Sequence, residues 1–435
     1  MNLAIIFLGK LFSWLSLILN FGNGSTWPGH IALQTNPHFV SDVLKDTNMQ
    51  IILIAGTNGK TTTSLLLKTI LETNGKKVIH NTSGANLFNG LASTLLLASP
   101  FFGKIKADYA IFEVDENALI PVLKDMDPGY IILLNLFRDQ LDRYGEVATI
   151  ARKWAEALHK EEHIKLILNA DDPEIAYIGQ QLFNQKLVTY FGLTQAQNDR
   201  SAMEHAADSM YCPHCAHKLT YEAITYSHLG NWSCPHCHLK RPQLTVDSFS
   251  SYPLAGVYNQ YNVLAAVTMA NQLGFHEQQI VTAFKQFKPA FGRQEILQYK
   301  GKNVQFFLSK NPTGFNQSLH TIRDLQAKYI LIALNDRIAD GRDISWIWDI
   351  DTEILNEFAQ NIIVTGDRSY DMGLRMKYSQ KLLEIKNLKL EIEINTEKAL
   401  NAAIDQTPTS ETLYILPTYT AMLDIRKIIG GKKIL

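Results

Sequence analysis

The sequence predicts an α/β fold with a mostly parallel sheet in a central P-loop domain, an inserted four-cysteine zinc ribbon, and a smaller Rossmann-like α/β domain at the C-terminus. Three observations predict it: a glycine loop between a strand and a helix, apolar runs that alternate with helix-length stretches, and two Cys-Pro-His-Cys tetrapeptides. The chain has 435 residues, of which 46% are hydrophobic and 19% charged, which is typical of a globular protein. At about 150 residues per domain, roughly three domains fit.

The charge balance bears on the class of partner. Lys and Arg total 41, Asp and Glu total 42, and the formal net charge is -1. Proteins that bind nucleic acid through phosphate contacts usually carry an excess of basic residues. We therefore predict no nucleic-acid partner.

The N-terminal region, residues 1–47, begins with an apolar run from Leu3 to Phe21. Its polar residues are spaced three, three and four apart, so a helix gathers them into one stripe. They are Lys10, Ser13, Ser16 and Asn20. The pattern favours an amphipathic helix that docks on its own domain, then peripheral contact with a membrane surface, over a signal peptide or a membrane span. The expected location is therefore cytoplasmic, at the inner face of the membrane if the helix contacts it.

Strand and helix patterns alternate from residue 48 onward. The run Ile51 to Ala55 predicts a strand and Leu65 to Leu71 a helix. Further apolar runs predict strands over 109–114, 130–134, 166–168, 188–191, 304–308, 329–334, 362–365 and 412–416. A polar, histidine-rich stretch interrupts this rhythm, which predicts an inserted zinc ribbon over about 205–245. We expect a central domain over 48–292 and a C-terminal domain over 293–435.

The clearest functional motif is a phosphate loop between a predicted strand and a predicted helix. It consists of Gly56, Thr57, Asn58, Gly59, Lys60, Thr61 and Thr62. Glycines let backbone amides approach phosphate oxygens, the helix N-terminus adds the positive end of its dipole, and the lysine adds a point charge. Ile54 stands where a standard P-loop has its first glycine, so this is the shortened form.

Other polar residues follow predicted strands, at the edge where open α/β sheets bind ligands. They are Glu113, Asn135, Asn169, Asp171 and Asp172. A carboxylate facing the phosphates can hold Mg²⁺. For each single residue, a helix cap or a solvated loop acid remains the alternative interpretation. Asp139, Asp142 and Arg143 are equally consistent with a solvated charge run.

All four cysteines form one candidate metal site. Cys212 and Cys215 are separated from Cys234 and Cys237 by 18 residues, a spacing that fits a four-thiolate zinc site. Four thiolates close the tetrahedron, so the metal is predicted to be structural. His214 and His236 lie between the ligands and are expected to be exposed loop residues.

Taken together, the short phosphate loop, Asn135 to Arg143, Asn169 to Asp172 and Asn259 to Ala266 resemble the Mur ligase superfamily in order and spacing. Those enzymes activate a carboxylate with ATP as an acyl phosphate that an amine attacks. The resemblance implies that Lys60 and the loop amides bind phosphate. It further implies magnesium ligands at Thr61 and Glu113, nucleotide contacts at Asn259 and Asn262, and a phosphate contact at Arg293. Gln140 departs from the amino-acid-adding members, which usually carry histidine there.

One branch of that superfamily fits better, because its members carry an inserted zinc ribbon and a reduced front domain. The resemblance implies amidation of the D-glutamate α-carboxylate in the lipid II stem peptide, in peptidoglycan biosynthesis. Ammonia would come from a separate glutamine amidotransferase subunit of the GatD type. It also implies that an aspartate completes the partner's Cys-His triad. We match this role to Asp343, with Asp340 and Asp349 as weaker candidates.

Two other functions remain open at this point. An amino-acid-adding ligase of the folylpolyglutamate synthase or Mur type uses the same short loop, although the ribbon and the missing front domain weigh against it. A zinc-ribbon ATPase that acts on nucleic acid would explain the paired cysteines, and the near-neutral charge weighs against it.

Overall fold

The computed structural model describes residues 2–18, 26–45, 47–81, 85–138, 147–182, 184–194, 207–382 and 388–430. Asp139, Gln140, Asp142 and Arg143 lie outside the described residues. The predicted α/β architecture is confirmed: a parallel sheet in the central part of the chain is followed by a second sheet domain.

The central sheet has six parallel strands. They are β1 (Gln50–Ala55), β2 (Val78–His80), β3 (Tyr109–Val114), β4 (Tyr130–Leu133), β5 (Lys165–Asn169) and β6 (Val188–Phe191). The strands are short apolar runs because helices cover both faces of the sheet. These helices are α4 (Lys60–Thr73), α5 (Phe88–Ala98), α6 (Leu119–Asp125), α7 (Val147–Leu158), α8 (Pro173–Gln180), α9 (Val257–Gln272) and α10 (Glu277–Phe284).

The strand order places the site. The order β2-β3-β1-β4-β5-β6 puts β1 between β3 and β4. In the register, Ile54 lies beside Glu113 on one side and Ile132 on the other. Because the chain leaves β1 at a point where the strand order reverses, the loop after β1 opens into a crevice at the carboxyl edge of the sheet.

The inserted segment before α9 forms an antiparallel hairpin. Its strands are β7 (Thr220–Tyr226) and β8 (Leu229–Ser233). The fully buried Trp232 indole donates to the Ala170 carbonyl at 3.0 Å, and Arg241 forms a 2.6 Å ion pair with Asp171. The insertion is therefore packed into the central domain.

The C-terminal sheet begins at Arg293 and has the order β13-β12-β11-β14-β10-β9. Its strands are β9 (Arg293–Tyr299), β10 (Lys302–Phe307), β11 (Tyr329–Ala333), β12 (Asn361–Thr365), β13 (Lys389–Ile392) and β14 (Thr412–Pro417), with β9 antiparallel. Its helices are α11 (Pro312–Asp324), α12 (Leu355–Phe358), α13 (Ser369–Leu382), α14 (Thr396–Gln406) and α15 (Tyr419–Gly430). Two separate apolar clusters cover the faces of this sheet.

Three helices precede the central sheet: α1 (Asn2–Ile18), α2 (Trp27–Thr35) and α3 (Phe39–Leu44). α1 packs on α2 and α5, and Ile5 and Ile6 join the core. Gly9 makes the approach close, since a Cβ there would lie 2.6 Å from the Leu96 side chain. As expected, α1 docks on its own domain. Among the described residues, no helix combines the length and the apolar character that crossing a membrane requires.

Candidate functional site

The phosphate loop has a backbone that requires glycine at two positions. Gly56 has a φ of 138° and Gly59 a φ of 93°, both in the left-handed half of the map. At Gly59 a Cβ would also lie 2.1 Å from the Asn262 side-chain oxygen. The loop runs directly into α4, so the backbone amides at the start of this helix lie at the positive end of the helix dipole.

Asn135, which follows β4, holds this loop in shape. Its side-chain oxygen accepts from the Asn58 amide at 2.9 Å, and its side-chain nitrogen donates to the Asn58 carbonyl at 3.1 Å. Its carbonyl accepts from the Thr57 amide at 2.9 Å. Asn135 therefore positions the loop from the neighbouring strand.

The Lys60 ammonium is buried and is held by oxygen atoms. It donates to the carbonyls of Gly56 and Thr57 and lies 3.4 Å from a Glu116 carboxylate oxygen. Burial alone would raise the pKa of Glu116, but the charges of Lys60 and Lys310 hold it below its usual value. For the adjacent Asp115, burial and the charge of Glu116 raise the pKa.

Glu113 lies at the end of β3, 3% exposed, against the first turn of α4. The Thr61 hydroxyl donates to one carboxylate oxygen at 2.7 Å, and the Ser64 hydroxyl donates to the other at 3.0 Å. Burial would raise the pKa of Glu113, yet the hydrogen bond and charge of His80 lower it overall. An ionised carboxylate beside a hydroxyl at a phosphate loop is a suitable oxygen set for Mg²⁺.

A cleft opens beside the loop, between the two sheet domains. Its lining includes Asn58, Gly59, Tyr226, Tyr258, Asn259, Asn262 and Arg293. Asn259 and Asn262 are joined at 3.1 Å, one turn apart on α9. The structure thus brings Asn259, Asn262 and Arg293, which the sequence analysis expected to contact the nucleotide, to one cleft beside the phosphate loop.

The C-terminal domain adds two residues that the sequence analysis did not single out. Asn311 caps α11, accepting from the Gly314 amide at 2.8 Å, and its side-chain nitrogen donates to the Asn58 side chain at 3.1 Å. Lys310 acts electrostatically on Asp115 and Glu116. The sequence contained a signal for both: Asn-Pro after an apolar run marks a helix start, and Asp115 and Glu116 follow Glu113 after one intervening residue, Val114.

Three of the expected edge residues have structural partners instead. Asp172 caps α8 through the Glu174 and Ile175 amides and accepts from the Leu136 amide. Asp171 binds Arg241 and accepts from the Tyr261 hydroxyl at 2.5 Å. Asn169 donates to the Leu134 carbonyl. All three are fully buried and bonded to other parts of the protein, and Asp172 is the one that fits the helix-cap interpretation.

The three candidate aspartates of the C-terminal domain have different surroundings. Asp343 is exposed, and it accepts from the Ser345 amide at 2.8 Å, a bond that lowers the pKa of its carboxyl. Asp340 is buried and accepts from the Thr420 amide and hydroxyl at the start of α15. Asp349 lies 3.8 Å from the Arg138 guanidinium. Of the three, Asp343 is the most exposed.

The four cysteine sulfurs lie together, all within 4.8 Å of one another. The Cys212–Cys237 and Cys215–Cys234 sulfur pairs are 3.6 Å and 3.5 Å apart. A tetrahedron with metal–sulfur bonds of about 2.3 Å has edges of about 3.8 Å. The donor set and spacing fit a four-coordinate zinc ion. His214, between two of the ligands, is exposed as expected.

Comparison with known proteins gives the family. The model of the Mur ligase middle domain matches residues 54–270, and that of the MurT ligase C-terminal region matches residues 308–422. The lipid II isoglutaminyl synthase (glutamine-hydrolyzing) subunit MurT of Staphylococcus aureus (strain COL) is 34% identical, covering 92% of this chain and 91% of that protein. Its counterpart from Streptococcus pneumoniae (strain ATCC BAA-255 / R6) is 32% identical, covering 96% and 95%.

A solved structure supports the fold. The pseudomurein peptide ligase type C from Methanothermus fervidus superposes with a TM-score of 0.66 at 23% identity, over 90% of this chain and 81% of that chain.

Replacing Gly59 with alanine tests the loop geometry. We expect Gly59→Ala to cost about 1–3 kcal/mol of stability and to weaken nucleotide binding at least tenfold, because the new Cβ meets Asn262 in a left-handed backbone. Denaturant unfolding and nucleotide-binding calorimetry measure the two effects.

Gly75→Ala is the matched control. Gly75 has a φ of 76° with nothing within 4 Å of its added Cβ, so only the backbone cost of about 1–2 kcal/mol remains. Equal nucleotide affinities in the two variants would contradict the close approach at Gly59.

Proposed function

Because the chain belongs to the MurT family of Mur ligases, we propose that it amidates the D-glutamate α-carboxylate of the lipid II stem peptide to D-isoglutamine. The relatives that support this are named lipid II isoglutaminyl synthase (glutamine-hydrolyzing) subunit MurT. The observation that carries the proposal is the phosphate loop with its partner carboxylate Glu113, open to a cleft that both domains line. Since lipid II carries a polyprenyl tail and ATP is supplied in the cytoplasm, we propose that the reaction takes place at the inner face of the membrane.

In the proposed reaction, ATP lies with its triphosphate on the phosphate loop from Gly56 to Thr62 and its nucleoside beside the joined pair Asn259 and Asn262. Arg293 adds a phosphate contact. A glutamate carboxylate oxygen attacks the γ-phosphorus and ADP leaves, which gives an acyl phosphate. Ammonia then attacks the acyl carbon, inorganic phosphate leaves, and the amide loses a proton. Positioning and charge neutralisation supply most of the rate in such a sequence.

Besides Arg293, two lysines of this chain supply positive charge to the proposed reaction. Lys60 exchanges its present carbonyl and carboxylate contacts for phosphate oxygens when nucleotide binds, and Lys310 acts on the same acidic pair, Asp115 and Glu116. Thr61 and Glu113 would hold Mg²⁺, which neutralises phosphate charge when bound. Their oxygens are already 2.7 Å apart.

Lys60→Ala tests the proposed ligase activity. We expect at least a thousandfold loss of ATP-dependent amidation, because a positioned cation on transferring phosphates is worth several kcal/mol. The assay follows the conversion of lipid II carboxylate to amide by mass spectrometry, with ATP, glutamine and a co-purified amidotransferase. Lys68→Ala is the control, since Lys68 lies on the same helix in an exposed pair with Glu72. Undiminished amidation by Lys60→Ala would overturn the assignment.

We infer that ammonia comes from a GatD-like partner subunit. Glutamine hydrolysis through a thioester requires a cysteine nucleophile. The chain has four cysteines, and all four belong to the metal cluster. Asp343 is the aspartate we assign to the partner's triad, because its carboxylate is exposed and its pKa is lowered.

Asp343→Asn separates the two half-reactions. Glutamine-driven amidation should fall by about two to four orders of magnitude, as in a triad that loses its orienting carboxylate, while amidation with ammonium salts stays unchanged. Both rates are measured on the intact complex. Asp405→Asn, an exposed aspartate on α14, should change neither. Equal loss with both nitrogen sources would contradict this division of labour.

We also propose that the cysteine cluster holds one structural zinc ion. Elemental analysis should give one zinc per chain, and Cys234→Ser should lower both the zinc content and the melting temperature, because a closed thiolate site contributes directly to folding. His214→Ala, an exposed neighbour of the ligands, should retain the metal. A wild-type chain that folds normally without zinc would refute the structural role.

A further inference from the structure

The N-terminal helix α1 exposes an apolar face. Leu3, Phe7, Leu8, Leu11, Phe12 and Trp14 are each between 38% and 58% exposed. The loop after α5 adds Phe101, 46% exposed, and Phe102, 85% exposed. We call these eight residues the N-terminal apolar surface. Contiguous exposed apolar area of this kind marks an interaction site in proteins.

Unlike an ordinary surface helix, α1 is apolar on its outer side as well as on the side that faces the domain. Ile5, Ile6 and Gly9 face the domain, and Leu8, Leu11 and Phe12 project from the other side. The polar stripe of the sequence does not point outward: Lys10 and Ser13 are half-buried near the docked face. An amphipathic helix in a globular protein turns its polar side to water, so here the outward face is built for an apolar environment.

The helix and the loop form one continuous surface. The rings of Phe7 and Phe101 have centroids 6.3 Å apart. The Lys10 ammonium donates to the Ser99 carbonyl at 2.6 Å and lies 5.0 Å from the centre of the Phe101 ring. These contacts fix the loop beside the helix, so both present their side chains together.

The charge around this surface has one sign. The first acidic residue of the sequence is Asp42, and residues 97–107 contain Lys104 and Lys106 but no carboxylate. Both lysines are exposed. Apolar and aromatic side chains beside lysines, without carboxylates, complement an anionic lipid headgroup layer.

We propose that the N-terminal apolar surface docks peripherally on an anionic phospholipid bilayer. Because α1 packs on α2 and α5, with Ile5 and Ile6 in the protein core, one side of the helix is held by the domain and the other side lies along the lipid interface. The biological reason rests on the proposed function, since a substrate with a polyprenyl tail stays in the membrane and the enzyme must reach its headgroup.

Vesicle flotation with the purified full-length chain tests this docking without any substrate. Wild type should float with phosphatidylglycerol vesicles, less with phosphatidylcholine, and less at high salt because surface charge is screened. Trp14→Ser/Phe102→Ser should bind at least about tenfold more weakly, through lost apolar burial. Lys104→Gln/Lys106→Gln should weaken binding only to the anionic vesicles. Ile296→Ser, 58% exposed on β9 of the other domain, is the matched control.

Two results would overturn the proposal: wild type that stays unbound to anionic vesicles, or Trp14→Ser/Phe102→Ser that binds as wild type does. A lipid-free dimer that this double variant abolishes would also overturn it, because a second copy would then cover the surface. Amidation of a soluble, tail-less lipid II analogue should be unchanged in the double variant. If neither the wild type nor the variants amidate the analogue, the proposed function is wrong. The vesicle experiment then still tests the membrane docking by itself.

Discussion

The buried ammonium of Lys60 is the constraint on which the site depends. A charge at 8% exposure must be compensated, and two carbonyls and Glu116 provide the compensation. Glu116 is fixed in turn, since the Trp154 indole donates to its carbonyl at 3.0 Å and Lys310 acts on its charge from the second domain. Phosphate oxygens can replace these partners. The carbonyls and Glu116 therefore keep the lysine in place until a phosphate binds.

The four-cysteine insertion contributes to the same cleft from the opposite side. Tyr226, the last residue of β7, lines the cleft and stacks on Phe137, with ring centroids 6.0 Å apart. Phe137 lies two residues after Asn135, which holds the phosphate loop. Because Arg241 and Trp232 anchor the insertion, it forms a wall of the cleft, and the structural metal proposed for its cysteines would keep such a short hairpin rigid.

Much of the fold and of the loop could be predicted from local sequence. The nine predicted strands match described strands to within two residues at each end, because continuous apolar runs bounded by turns are a strong signal for buried strands. Short or edge strands with mixed burial, such as β2 and β13, gave no such signal. Asp171 and Asp172 show the limit of prediction at the site. A carboxylate after a strand can bind a metal or have a structural partner, and only the positions of Arg241 and of the α8 amides show which role each aspartate has.

The contribution of the C-terminal domain could not be predicted, because it depends on how two distant segments meet. Asn58 and Asn311 are 253 residues apart and exchange side-chain hydrogen bonds across the cleft. Such a bridge ties the N-terminus of α11 to the phosphate loop, so the position of Lys310 depends on the closure of the two domains. In the proposed reaction water would compete with ammonia for the acyl phosphate, and enclosing that intermediate in the cleft would exclude the competing nucleophile. The two-domain cleft is therefore as much a part of the proposed chemistry as the phosphate loop.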